Sequence, residues 1–172
     1  HSEGRNDLLK LELWQKSIVS AIFGIVGENG YRQFREVFIL VARKNGKTLF
    51  AAAIIAYMAY LDGEYGAKIY CLAPKLDQAD LVYDAFYQIV QSNDELSDPS
   101  LTKKRRSDIY IEQLNTSIRR LAFNSKKSDG FNPHLAVCDE IEAWPGVQGL
   151  KQYEVMKSAL GARKQPLILS IS

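Results

Sequence analysis

Val37-Phe38-Ile39-Leu40-Val41 runs into Ala42-Arg43-Lys44-Asn45-Gly46-Lys47-Thr48 and then into Leu49-Phe50-Ala51-Ala52-Ala53. A short unbroken run of β-formers is what a strand buried on both faces of a parallel sheet requires. The basic, glycine-bearing stretch after it reads as a turn, and the Ala-rich segment beyond as a helix ending near Asp62-Gly63. From Leu49 to Leu61 that segment is apolar for 13 residues, short of the roughly 20 a bilayer span needs. A buried helix is the better reading, and no membrane partner is expected.

The same alternation continues on both sides. Leu11, Trp14, Ile18 and Ile22 fall at helical spacing over Leu11 to Phe23, before Gly24, Gly27 and Gly30 break the pattern. Lys68 to Ala73 reads as a strand stopped by Pro74. Leu76, Ala79, Val82, Tyr83, Phe86, Ile89 and Val90 mark an amphipathic helix to about Gln91. Asp94 to Lys104 is polar and turn-prone. Asp108 to Gln113 and Ser117 to Phe123 suggest two strands joined around Asn115. Leu135 to Cys138 reads as a buried strand, Tyr153 to Leu160 as a helix, and Leu167 to Ile171 as a last strand. This order predicts an α/β fold, a mainly parallel open sheet sandwiched by helices. Ligands of such sheets sit beyond the carboxyl ends of the strands.

Two motifs lie at such ends. Val41 to Thr48 follows a strand and opens a helix, the context of a phosphate loop, although Val41 stands where the usual pattern has glycine. Successive backbone N–H groups and a positive helix end can cradle a polyphosphate. Lys47 would reach the β- and γ-phosphates, and the Thr48 hydroxyl would bind Mg²⁺. The second motif is Asp139-Glu140, directly after the apolar strand Leu135 to Cys138. Asp139 would hold Mg²⁺ and Glu140 would polarise an attacking water. Adjacent carboxylates past a buried strand are costly unless a cation or donor meets them. The bland alternatives are a solvated lysine at a helix start and a loop that opens with two acids. Both halves in this order favour an ATPase of the P-loop NTPase (RecA-like) class, with ATP and Mg²⁺.

Bulk properties agree without adding much. The chain has 172 residues, 47% hydrophobic and 24% charged, with net charge +2. That fits a single domain with a real core and neither demands nor excludes a nucleic-acid partner. Cys71 and Cys138 each lie in an apolar run, so buried free thiols are expected. No repeat, linker or signal peptide is evident. Residues 1–10 read as an N-terminal arm in which His1-Ser2 resembles a tag remnant.

With these residues placed, the chain resembles the ATPase domain of phage terminase large subunits, the DNA-packaging motors of tailed phages. The resemblance runs from about Leu11 to Ser172. It is most specific at Val41 to Thr48, where the family replaces the first loop glycine and carries an arginine at the place of Arg43. Leu13-Trp14-Gln15, Phe34-Arg35-Glu36, Ala73-Pro74-Lys75 with Gln78-Ala79, and Ser128-Asp129-Gly130-Phe131-Asn132-Pro133 also match.

The resemblance implies that Gln15 reads adenine, the alternative being an exposed helix glutamine. It implies that Arg43 senses or stabilises the γ-phosphate beside Lys44, Asn45 and Gly46, the alternative being a surface charge. Trp14 reads as a core aromatic. Ser170 and Ser172 match the segment that couples hydrolysis to motion. The implied setting is a ring homo-oligomer in the host cytoplasm that translocates double-stranded DNA into a procapsid, with portal and small terminase subunit as partners. A cation supplied to the neighbouring subunit would come from Arg105, Arg106, Arg119, Arg120, Lys126 or Lys127. Lys103 to Arg106 is either a DNA contact or a solvated basic turn. The family's nuclease domain follows the ATPase domain, so no DNA cleavage is expected of these residues. The competing readings are the N-terminal motor lobe of a superfamily-2 helicase and a non-hydrolysing nucleotide-binding module.

Overall fold

The computed structural model of the chain describes residues 9–122 and 130–172. Phe123, Lys126, Lys127 and Ser128-Asp129, like most of the N-terminal arm, lie outside the described residues. In chain order the elements are α1 (Leu13–Gly24), β1 (Glu36–Ile39), α2 (Lys47–Tyr60), β2 (Lys68–Ala73), α3 (Leu76–Gln91), β3 (Thr102–Lys104), β4 (Ile109–Ile111), β5 (Thr116–Ala122), β6 (Leu135–Asp139), α4 (Gly146–Ala159) and β7 (Leu167–Ile171). The strands form one seven-stranded sheet in the order β1-β7-β6-β2-β5-β4-β3. The five strands β1, β7, β6, β2 and β5 are parallel, and the β5–β4–β3 edge is antiparallel.

Period-2 alternation divides the interior. Ile69 and Cys71 of β2, Leu135 and Val137 of β6, and Leu167, Leu169 and Ile171 of β7 face one core with α1, α2 and α3. Tyr70, Leu72, Ala136, Cys138 and Ile168 face the other, closed by Met156 of α4 and by Leu160. Each central strand is therefore apolar on both faces, which is why β2, β6 and β7 show unbroken runs. Ala51, Ala52 and Ala59 are buried against the sheet, and small side chains let α2 lie close to it. Both cysteines are buried free thiols. Among the described residues no helix is long and apolar enough to cross a membrane.

Three expectations need correction. β1 is not buried on both faces: it is an edge strand, and Phe38 and Leu40 are 60% and 81% exposed. Only Ile39 is fully buried, with Val37 partly buried against the core, so its apolar run misreports its place. The stretch Asp94 to Lys104 ends in a strand, β3, because Thr102 to Lys104 pairs with Ile111 to Ile109. Lys103 and Lys104 are exposed on this edge, and Thr102 is buried. Finally, α4 starts at Gly146, seven residues before the Tyr153 start expected from the sequence. Pro145, Gly146 and Gly149 look like loop residues, yet Pro145 caps the helix and Gly149 is a close-packing position.

Candidate nucleotide site

The turn from β1 to α2 is shaped by two left-handed residues, Lys44 (φ 67°) and Gly46 (φ 73°), with Asn45 between them. Glycine adopts that conformation freely; for Lys44 it costs about 1–2 kcal/mol. Asn45 braces the turn by donating from Nδ2 to the Ala42 carbonyl at 3.1 Å. Gly46 is the N-cap of α2, so the free N–H groups of a 14-residue helix open directly onto the loop. Arg43 and Lys44 are exposed, and neither forms an ion pair among the described residues. Thr48 is half-buried on the first turn of α2.

β6 carries the acidic pair to the same end of the sheet, because β1, β7 and β6 are parallel neighbours. Two strand spacings separate β1 from β6, roughly 10 Å, and the Lys47 side chain spans the gap. Its Nζ lies 3.2 Å from Glu140 Oε1 and 3.8 Å from Asp139 Oδ1. By alternation Asp139 faces the α2 side, with Leu135 and Val137. Its side chain is 4% exposed and that of Glu140 42%. Burial pushes the Asp139 carboxyl above its usual range, while the Lys47 ammonium and the Glu140 amide oppose the rise. Glu140 N donates to Asp139 Oδ1 at 2.9 Å.

Glu140 itself is left-handed (φ 48°, ψ 49°) and turns the chain into a short 3₁₀ segment, Ile141–Ala143. A non-glycine residue there stores about 1–3 kcal/mol and persists only where its surroundings hold it. Here Trp144 Nε1 donates to the Asp139 carbonyl at 2.9 Å, and Ala143 N to the Glu140 carbonyl at 2.8 Å. Ser172 ties the two motifs together. Val41 N donates to its carbonyl, its own N donates to the Ile39 carbonyl, and its hydroxyl hydrogen-bonds Glu142. Ser170 is buried on the opposite face of β7 from the loop.

The other sequence candidates divide. Gln15 is 7% exposed and belongs to a capping box with Glu12, its Oε1 accepting from Glu12 N at 2.9 Å. Its Nε2 stands 4.0 Å from where a Cβ on Gly46 would lie, so it packs beside the loop and is not an exposed helix glutamine. Trp14 is a core-side aromatic against Phe50, with centroids 5.4 Å apart. Of the arginines, Arg105 forks onto the fully buried Asp108 at 2.7 and 2.6 Å, Arg119 approaches the same carboxylate at 3.9 Å, and Arg120 pairs with Asp80 at 2.6 Å. Lys103 pairs with Glu112. Arg106 is exposed and has no side-chain partner among the described residues. β4 lies three strand steps from β6, about 14 Å.

The site includes two residues that local reading passed over. Trp144 and Glu142 follow the acidic pair in a stretch without periodicity, and only the fold brings them back to it.

Among the described residues no cluster of three carboxylate, histidine or thiol groups forms. The donor set still suits Mg²⁺, which takes one or two protein oxygens and fills its shell with water and phosphate. The chain's own ammonium, Lys47 Nζ, stands between the two carboxylates, marking the place a cation favours.

Comparisons agree with this geometry. No curated protein matches the chain. The large terminase of bacteriophage HK97 superposes with a TM-score of 0.80 at 24% identity, over 95% of this chain and 33% of that one. The large terminase ATPase domain of Thermus phage P74-26 superposes at 0.64 with 16% identity, over 89% of this chain and 67% of that one, and a point mutant of it at 0.70 with 17%, over 95% and 65%. The chain thus spans a third of the HK97 protein, and these likenesses carry the fold, that of P-loop NTPases. The sequence profile described as "Terminase large subunit, ATPase domain" matches residues 13–172. With the loop, the acidic pair and the sheet order in agreement, the chain belongs to the ATPase-domain family of phage terminase large subunits.

Proposed function

We propose that the chain hydrolyses ATP with Mg²⁺ and that this hydrolysis drives double-stranded DNA into a procapsid in the host cytoplasm. It would do so within a ring of large-terminase subunits, working with portal and small terminase. The observation that carries the reading is the meeting of Lys47, Asp139 and Glu140 across three strand ends.

In the resting arrangement Lys47 pairs with both carboxylates, more closely with Glu140. When the loop receives the polyphosphate, the ammonium swings from Glu140 to the β- and γ-phosphate oxygens. Glu140 is then a free, half-exposed carboxylate that accepts the proton of the attacking water through Oε1. Asp139 and the Thr48 hydroxyl would hold Mg²⁺, which would supply charge neutralisation at the phosphates. Arg43 adds a cation toward the γ-phosphate, where charge develops. Lys44, Asn45 and Gly46 present backbone N–H groups. Gln15, its Oε1 already engaged, offers its Nε2 donor to an adenine ring nitrogen. A cation from the neighbouring subunit would complete the site, and among the described candidates Arg106 is the least tied to its own chain.

Phosphate release by the parent chain, Lys47→Ala and Glu140→Ala tests the reading. Turnover should vanish in both variants, with nucleotide binding retained in Glu140→Ala. Equal rates in all three would sink it.

A further inference from the structure

The peptide plane joining Asp139 to Glu140 is hydrogen-bonded at both ends. Its N–H donates to Asp139 Oδ1 at 2.9 Å, and its carbonyl oxygen accepts from the Trp144 indole Nε1 at 2.9 Å. The plane sets ψ of Asp139 and φ of Glu140 together, so rotating it would break the Glu140 N–H bond to Asp139 Oδ1 and undo the left-handed turn that carries Glu140. Glu140 sits at φ 48°, a conformation a non-glycine residue leaves unless held. The indole is the side chain that holds it.

The indole's own place depends on a missing side chain. Gly149, in the first turns of α4, is buried, and a Cβ on it would lie 2.8 Å from Trp144 Cβ and 3.2 Å from the Trp144 carbonyl carbon. Neither atom is the end of a flexible chain, so the Trp144 backbone would have to move. The indole is also partly buried against the core on the α4 face of the sheet, as are Ile141, Phe131 and Tyr153. Its orientation is thus set by the fold and passed to the acidic pair through one hydrogen bond.

We propose that Trp144 is a positioning residue for the acidic pair, held in place by Gly149, and that its indole N–H keeps Glu140 aimed at the reacting water. This rests on the hydrolysis reading above. It adds a specific claim: the turn that carries the general base is held by the residues after it and not by the phosphate loop.

The test uses the full chain as Trp144→Phe, which removes the N–H and keeps an aromatic ring, and Gly149→Ala, which leaves Trp144 chemically intact and displaces it. Both should unfold cooperatively and bind Mg–ADP within about twofold of the parent. The turnover number should fall roughly 10- to 100-fold with little change in KM, since an ångström of misplacement can cost about 10²-fold. Turnover within twofold of the parent would overturn the proposal, as would a parallel loss of nucleotide binding, which marks a merely structural tryptophan. A second readout does not need turnover. In a Trp14→Phe background Trp144 is the remaining tryptophan of the two in the chain, so its indole N–H resonance is assigned without ambiguity. That proton should exchange slowly with solvent and shift when Mg–ADP is added, and Gly149→Ala should abolish both effects. Fast exchange or no shift in the Trp14→Phe chain overturns the positioning role, whereas a parent chain without turnover sinks the hydrolysis reading.

Discussion

Charged side chains converge at both ends of this sheet, under opposite conditions. Beneath the amino ends of the strands, Arg32 donates to both Asp62 oxygens at 2.8 and 2.7 Å and to the Gln165 carbonyl at 2.6 Å. His134 Nε2 lies 2.7 Å from the same carboxylate, and the Arg32, Asp62 and His134 side chains are 2%, 7% and 0% exposed. At the carboxyl ends, Lys47 meets Glu140 at 3.2 Å, beside a left-handed backbone and a side chain 42% open to solvent. The lower cluster joins α2, β6 and the entry to β7 with short bonds between side chains that are almost wholly buried. The upper one has longer contacts, a left-handed Glu140 and a half-exposed carboxylate. Similar residue types are packed away at one end and left half-open to solvent at the other.

The contrast can be broken first at the upper end. Glu140→Gln should reduce phosphate release by about 10²–10⁴-fold, the range for losing a general base. Its unfolding midpoint should barely move, since a half-exposed pair contributes about 0–1 kcal/mol. At the lower end the pattern should invert. Asp62→Ala leaves Arg32 buried without its carboxylate, a loss of about 3–5 kcal/mol and a fall on the order of 10 °C in melting temperature for a chain this size. Nucleotide affinity per folded molecule should stay the same. A melting temperature unchanged in Asp62→Ala would erase the distinction between the two ends.

A smaller effect sharpens the upper end. Because burial raises the folded-state pKa of Asp139 above its reference of 3.8, the folded protein binds the proton more tightly than the unfolded chain. This group therefore costs stability, and the cost grows as pH rises from about the unfolded value through the folded one. Asp139→Asn should remove that fall, giving a more stable nucleotide-free protein at neutral pH and weaker Mg²⁺-dependent nucleotide binding. Urea midpoints across the acid-to-neutral range check it; parallel profiles for parent and variant would refute it. Lys103→Ala sets the baseline. Its exposed pair with Glu112 should be worth less than about 1 kcal/mol in the same unfolding measurement.

How much of this was legible in the sequence follows from which neighbours each residue needs. Leu167 to Leu169 and Ile69 to Ala73 declare themselves as strands because burial on both faces favours an apolar residue at every position. Lys47-Thr48 and Asp139-Glu140 declare themselves because each motif is local: strand, turn and helix in one case, strand end and acids in the other. β1 shows where that reasoning stops. Its run of Val37 to Val41 looks as buried as β6, but whether a strand is central or at an edge depends on partners elsewhere in the chain. Arg105 and Arg119 likewise read as spare cations until the fold places the buried Asp108 between them.

The sequence by itself determined the class of sheet from the order of its elements, and it singled out the β1–α2 turn and the acidic pair, since each of those motifs rests on residues within one turn or strand of one another. Tertiary structure alone decided that Lys47 rests between Asp139 and Glu140, that Ser172 links Val41 to Glu142, and that Trp144 holds the Asp139 carbonyl. Those contacts depend on strand order and on the close approach of α4 at Gly149, distances through space that no local pattern encodes.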